Sequence, residues 1–521
     1  MIDQTTIARR DWKRFFGLPL LGVPALLGAL WLLATTSSGI GIYPDSVMYI
    51  MMARSLLQGR GWTLEGVPVE IFPPLYPSLL ALAGFGGDPV EGARWLQAAI
   101  WGVNIFWVGL ITYGFSGKSV SAALFASLLA LGAVDLFAYH TVALSDGAFL
   151  MFLLPSLLAL DRYLEGRGVR YLVGSALLDA LAAVTRYAGI AVIAAGIISI
   201  LILERKPWSR RFLPAMTFGL MSFAPQGLWM LRNMQYQHPM GRRFDLHGFL
   251  GEPELNGFFH AASAWFFQWK IEDAWWMSLL PFILLGLLPV WNRKRNPNRP
   301  VEQPLRARLL VIYMALYATL LILSAAFFQA DLFRDSSRLL MPLHILFIVL
   351  VVTSGYEWLT RTGSVPVRII AFVVCCAIAL LVLTTGVQYS GKISGDGQGY
   401  ASRAYRTSEL IARTRSIPAD ITVYTNLELP IVLYTGRIPY MIPLKINNST
   451  QRPNEQYGAE MKSMAADIRD SSALLVYFKR TPGWYVLPTL EEIGRSVPLR
   501  SVAELSDGGL FEAIPDTTGD Q

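Results

Sequence analysis

The chain has 521 residues, is 53% hydrophobic and 16% charged, and carries a formal net charge of +7. That is the composition of a polytopic membrane protein and not of a soluble globular domain. The basic excess, 44 Lys and Arg against 37 Asp and Glu, is no nucleic-acid footprint, because the cations fall in short segments between apolar runs.

Eleven apolar runs read as membrane spans: residues 15–36, 93–115, 120–139, 147–164, 171–185, 187–203, 212–231, 275–291, 309–328, 339–359 and 367–388. The first follows a basic N-terminus. It is too long for the apolar core of a signal peptide and no small-x-small cleavage site follows, so it reads as an uncleaved anchor. Residues 76–84 are apolar but too short to cross, and read as a helix lying on the membrane or re-entering it. The two spans either side of Thr185-Arg186-Tyr187 are short and separated only by that arginine. Cys375 and Cys376 are neighbours inside an apolar run, which suits small packing residues better than a disulfide or a metal site.

Twenty Lys and Arg residues fall in every second connection: Arg9, Arg10, Lys13 and Arg14; Lys118; Arg162, Arg167 and Arg170; Arg205, Lys206, Arg210 and Arg211; Arg293, Lys294, Arg295, Arg299, Arg306 and Arg308; Arg361 and Arg368. By the positive-inside rule that side is cytoplasmic. The expectation is a plasma (inner) membrane protein with its N-terminus inside and its C-terminus outside. The outer face then receives a first loop over residues 37–92, the turn 140–146, Arg186, residues 232–274 and 329–338, and everything after residue 390. Trp265, Phe266, Phe267, Trp269, Trp275 and Trp276 crowd one of these loops. They read as an interfacial aromatic belt or as a wall for a lipid tail.

The expected domains are a transmembrane domain over residues 1–389 and a small extracytoplasmic α/β domain over 390–521. Gly391, Gly395, Gly397 and Gly399 read as a linker. Residues 400–414 have helical spacing, and 421–424 and 473–478 read as short buried strands. No glycine-rich nucleotide fingerprint is present. Sequons stand at Asn447 and Asn448.

The most informative segment is Tyr43-Pro44-Asp45-Ser46, just beyond the first span. A carboxylate at the membrane surface is costly to desolvate and usually has a task. The bland reading is that Asp45 is the N-cap of a helix over 45–57. Some 27 residues on comes Phe72-Pro73-Pro74-Leu75-Tyr76-Pro77, and before the tenth span comes Arg338-Leu339-Leu340-Met341-Pro342-Leu343. Together these resemble the membrane-embedded glycosyltransferases of the GT-C class, in the branch of protein O-mannosyltransferases and aminoarabinose transferases.

The resemblance implies an inverting glycosyltransferase that takes a sugar from a polyprenyl-phosphate carrier and passes it to a lipid, glycan or protein acceptor on the outer face. It implies Asp45 as the base that takes the acceptor's proton, and an acidic residue at Asp146, which orients the acceptor, holds a metal or caps a helix. It places Arg186 and an arginine before the Leu-Pro span, Arg338 with Arg334 beside it, at the donor phosphate. Those arginines otherwise snorkel or pair with Asp331 and Asp335. His140, Glu70 and Tyr76 complete the substrate-binding candidates. A His140–Asp146 pair would suit a divalent cation, but a lone histidine is more often a hydrogen-bonded structural residue, and neither a metal site nor a cofactor is assigned. Only one acid follows Pro44 where relatives carry a pair, which leaves the acceptor open. The rival reading is a lipid or glycan transporter or flippase. Against it, Asp45 lies in a loop instead of mid-span, and the chain shows no internal repeat.

Overall fold

A computed structural model describes residues 4–64, 66–236, 261–262, 265, 305–327, 336–362, 364–446, 453–470, 472–481 and 484–514. The chain divides into two compact units. One is Met1–Ile40 with Met52–Gly395, the other Gly41–Met51 with Asp396–Gln521.

The first unit is helical. In chain order it holds α1 (Gln4–Thr35), the end of α2 (Pro44–Leu57), a small antiparallel pair β1 (Thr63–Leu64) and β2 (Val67–Pro68), α3 (Leu75–Ala83), α4 (Pro89–Phe115), α5 (Val120–Gly132), α6 (Val134–His140), α7 (Asp146–Leu164), α8 (Val169–Ala183), α9 (Gly189–Leu203) and α10 (Trp208–Asn233). Then follow α11 (Leu305–Phe327), α12 (Ser336–Leu339), α13 (Met341–Thr362) and α14 (Val365–Ser394). Among the described residues five helices are long and apolar enough to cross a membrane, lying in α4, α7, α11, α13 and α14. The apolar part of α1, Pro19–Thr35, and the whole of α9 are shorter apolar helices. The expected span 275–291 lies outside the described residues. Residues 75–83 form the nine-residue α3, which matches the reading of a non-spanning helix.

One expected span is broken. The run 120–139 is two helices, α5 and α6, bent by 63° at Ala133. Gly132 sits at the break, where a Cβ would lie 2.8 Å from the backbone of Val382 and Leu383 in α14. Small residues let helices approach backbone to backbone in lipid, where no hydrophobic force drives them together. The core of this unit is one contiguous cluster that includes Trp101, Ile105, Phe137, Phe149, Leu153 and Phe218. Some polar groups beside it are paired: Ser156 of α7 bonds Ser175 Oγ at 3.0 Å and also the carboxylate of Asp179, both on α8. Cys375 and Cys376 are unpaired thiols on α14.

In the second unit, a five-stranded mixed sheet has the order β4-β3-β5-β7-β6. Its elements are α15 (Arg403–Arg406), α16 (Glu409–Arg415), β3 (Thr422–Thr425), α17 (Glu428–Thr435), β4 (Tyr440–Met441), α18 (Tyr457–Arg469), β5 (Ala473–Phe478), α19 (Leu490–Ser496), β6 (Leu499–Glu504) and β7 (Gly508–Ala513). Strand β3 is parallel to β4 and β5, with Thr422 opposite Ala473, while β7 runs antiparallel to both β5 and β6. Met461, Met464 and Ile468 of α18 pack with Leu475 and Ile493 to form its core. The sequons at Asn447 and Asn448 lie outside the described residues.

Candidate active site

Helix α7 opens with Asp146, whose carboxylate sits where the helix dipole favours negative charge. It is 5% exposed. Arg186 Nη1 lies 2.7 Å from its Oδ1, and Arg338 Nε lies 2.8 Å from its Oδ2. Arg186 also donates to Ser145 Oγ at 3.3 Å. Three residues from separate stretches of sequence thus form one cluster of two guanidinium groups about one carboxylate.

Local structure aims each arginine. Arg186 stands in the turn between α8 and α9, where its N–H donates to Ala182 O at 3.1 Å and its carbonyl accepts Gly189 N–H at 2.9 Å. Leu75 N–H donates to Val184 O at 3.0 Å, which ties the start of α3 to the same turn. Arg338 lies on α12, held beside α6 by the Tyr139 and Ser337 hydroxyls, 2.5 Å apart. Arg334, Asp331 and Asp335 lie outside the described residues, as do Arg242 and Arg243 and all of the aromatic loop except Trp265.

The other candidates are held in hydrogen-bond networks of their own. His140 is fully buried. Its Nδ1 bonds Leu136 O at 2.6 Å, and Asn104 Nδ2 donates to its Nε2 at 3.0 Å and to Gly147 O at 2.9 Å. Tyr76 is also fully buried, and Gln97 Nε2 donates both to its hydroxyl (2.8 Å) and to Leu144 O (2.6 Å). Glu70 is engaged through its backbone: its carbonyl accepts the Tyr187 hydroxyl at 2.7 Å and Asn233 Nδ2 at 3.4 Å. Its Oε1 is buried with no hydrogen-bond partner among the described residues. No group of three His, Cys, Asp or Glu that could hold a metal ion occurs among the described residues.

Asp45 belongs to the second unit. The N-cap reading is corrected: α2 begins at Pro44, so Asp45 lies inside its first turn. The cap work falls to neighbours, with Tyr43 N–H donating to Ser46 Oγ at 3.1 Å and Val47 N–H to Tyr43 O at 3.1 Å.

Residues 73–229 match the family of dolichyl-phosphate-mannose-protein mannosyltransferases. That stretch contains Tyr76, His140, Asp146 and Arg186. No curated protein sequence matches the chain. The structure is similar to ArnT from Cupriavidus metallidurans bound to undecaprenyl phosphate, with a TM-score of 0.60 at 13% identity, covering 97% of this chain and 99% of that one. The chain has the GT-C glycosyltransferase fold.

Two further solved structures share this GT-C architecture. The arabinofuranosyltransferase AftD from Mycobacteria gives a TM-score of 0.53 at 14% identity, over 96% of this chain and 42% of that one. The Archaeoglobus fulgidus oligosaccharyltransferase tethered to an acceptor peptide gives 0.50 at 11% identity, over 82% and 64%. On this GT-C scaffold one pair escaped the sequence reading. His344 Nδ1 of α13 lies 2.7 Å from Asp135 Oδ2 of α6, and the Trp265 ring stacks on His344 at 4.8 Å. The available signal was Asp135 itself, an acid inside an apolar run.

Proposed function

We propose that the protein is a membrane glycosyltransferase that moves a sugar from a polyprenyl-phosphate carrier to a lipid, glycan or protein acceptor on the outer face, with inversion. The carrying observation is the Arg186–Asp146–Arg338 cluster. Such a cluster suits a leaving phosphate, whose negative charge grows in the transition state. Guanidinium donors set in place beforehand stabilise that charge where it develops. The mannosyltransferase match and the shared fold support glycosyl transfer over the transporter reading.

In this reading Asp45 takes the proton from the acceptor nucleophile as that nucleophile attacks the anomeric carbon. The bond from that carbon to the phosphate oxygen breaks, and the polyprenyl phosphate leaves against the arginines. Asp146 has an arginine on each oxygen, so its role is to hold the two guanidinium groups and not to move a proton. His140 and Tyr76, buried and hydrogen-bonded, act as structural supports in this reading. Purified protein should turn over labelled polyprenyl-phosphate sugar. Asp45→Asn, isosteric and unable to accept the proton, should lower turnover by roughly 10²-fold or more with little change in thermal stability. Near wild-type turnover in that variant would remove Asp45 as the base.

The reading also places eleven spans in the inner membrane, with residues 1–389 as the catalytic membrane domain and residues 390–521 outside. The alternating cations support this orientation. A reporter active only outside the cytoplasm should work when fused after residue 400 and stay silent when fused at Asn296. The opposite pattern would invert the site.

A further inference from the structure

Gly397 and Gly399 read in the sequence as parts of a linker, yet the structure gives them a definite task. Helix α14 runs through Gly391 to Ser394, and the chain then folds into a tight turn. Arg403 N–H donates to Asp396 O at 2.7 Å, and Ser402 N–H donates to Gly399 O at 3.0 Å. This turn grips the residue that leads into α2. Ile42 pairs in parallel with Gly399. Its N–H donates to Gln398 O at 3.2 Å, and its carbonyl accepts Tyr400 N–H at 2.7 Å. The carbonyl of Tyr400 in turn accepts the Tyr434 hydroxyl of α17 at 2.7 Å.

Gly399 is glycine for two separable reasons. Its φ is +57°, and a Cβ there would lie 2.1 Å from Ile42 O. A backbone oxygen cannot swing aside, so any side chain at 399 must open the seam. Gly436 in the same unit separates the two effects. Its φ is +73°, but nothing lies within 4 Å of a Cβ built there.

We propose that Gly399 and Tyr400 are positioning residues for Asp45: the bonds that Gln398 and Tyr400 make to Ile42, across the close approach that Gly399 permits, fix the backbone three residues ahead of the carboxylate and so set where it stands. Little slack separates the seam from the acid, because Tyr43 is already bonded into the first turn of α2. Ile42, Ser46 and Val47 are buried on one side of this segment, while Asp45 keeps part of its surface open. The inference rests on reading Asp45 as the base, and it adds that the chain beyond the last span delivers that base.

The test compares Gly399→Ala, Tyr434→Phe and Gly436→Asn in the full-length protein, each with and without Asp45→Asn. The readouts are sugar transfer from a labelled polyprenyl-phosphate sugar and amide exchange over residues 42–47. Gly399→Ala should lower kcat by about 10-fold or more, since small misplacements of a reacting group are costly, with the donor KM unchanged within about twofold. Tyr434→Phe should lower kcat by about two- to threefold, and Gly436→Asn should leave it unchanged. In the Asp45→Asn background neither loss should recur, because residues acting through one group are not additive. Exchange at 42–47 should quicken in Gly399→Ala and not in Gly436→Asn.

Additive losses in that background, or unaltered exchange at 42–47 in Gly399→Ala, would overturn the proposal. Should Gly399→Ala fail to fold, Tyr434→Phe decides, and a wild-type kcat there overturns it as well. Wild-type turnover in Asp45→Asn alone would instead sink the base assignment, while the exchange data still report whether the seam holds the segment.

Discussion

Helix α7 carries a carboxylate–guanidinium cluster at each end, and the two are built to different ratios. At its start Asp146 is shared by Arg186 and Arg338, one acid to two bases. At its end Asp161 and Glu165 share Arg306, with Arg167 also on Glu165. Arg306 further donates to Gly114 O at 2.8 Å and lies over the Phe115 ring at 5.4 Å, so it clamps α11 to α7 and α4. Fifteen residues of helix, about 22 Å, separate the two acids. At the start the helix dipole favours the carboxylate that the two arginines share. At the end the dipole opposes both acids, and the cations balance them. In the proposed reading the two arginines gathered on one acid face the leaving phosphate, whereas the balanced set is a structural clamp.

The sharpest way to break this contrast is to remove one base from each cluster. Arg338→Ala and Arg186→Ala should each cut sugar transfer by about 10²-fold or more. A lysine replacement should rescue only partly, because a point charge cannot make the two-pronged contact. Asp146→Asn should be milder, since the arginines remain but lose their common anchor. Donor use at wild-type level in both alanine variants would take the arginines out of the site.

Arg306→Ala should do the reverse. It strands Asp161, which is 2% exposed in its side chain, beside Glu165. Stability should fall by about 2 kcal/mol, below the 3–5 kcal/mol of a fully buried pair because Arg306 is partly exposed. Turnover per folded molecule should stay within about twofold, as the change lies a helix-length from the proposed chemistry. Thermal melts in detergent alongside active-fraction kinetics would check it. A selective loss of donor affinity would erase the distinction between the two ends.

The smallest effect is on pH. Burial pushes the Glu165 carboxyl up, but Arg306 and Arg167 outweigh it and hold the group below its ordinary value of 4.5. A carboxyl held low stabilises the folded state above its unfolded value and loses that contribution as pH falls through the folded one. Acidification below about pH 4.5 should therefore lower the melting temperature, and Arg306→Ala should flatten that slope. An unchanged slope would mean that Glu165 is not held by Arg306.

What the sequence disclosed follows from cost. Arg186 and Arg338 stood out because an arginine at the edge of an apolar run needs a partner. Asp146 stood out as well, but not as the partner they share, because it is 192 residues from Arg338 and nothing local encodes a meeting over that distance. The bend at Ala133 was hidden for a related reason. Residues 120–139 carry an unbroken apolar signal, and the break answers the backbone of α14, some 250 residues on. Asp135 within that run was the visible hint. Gly399 shows a harder limit: a glycine kept for a left-handed turn with a close approach looks, in a glycine-rich stretch, like one kept for looseness.

Helix α14 has a consequence for the bilayer itself. It is 30 residues long, and only 6% of its most apolar window is buried among the described residues. At 1.5 Å per residue that is about 45 Å of helix against about 30 Å of hydrocarbon. Its apolar stretch, residues 367–388, spans about 33 Å, close to that thickness, and its polar ends run beyond it, so its angle depends on membrane thickness. Cys375 and Cys376 ride on it as a built-in pair of attachment points for a spin or fluorescent label. The tilt could thus be followed directly as acyl-chain length is varied, without adding a single foreign residue to the span.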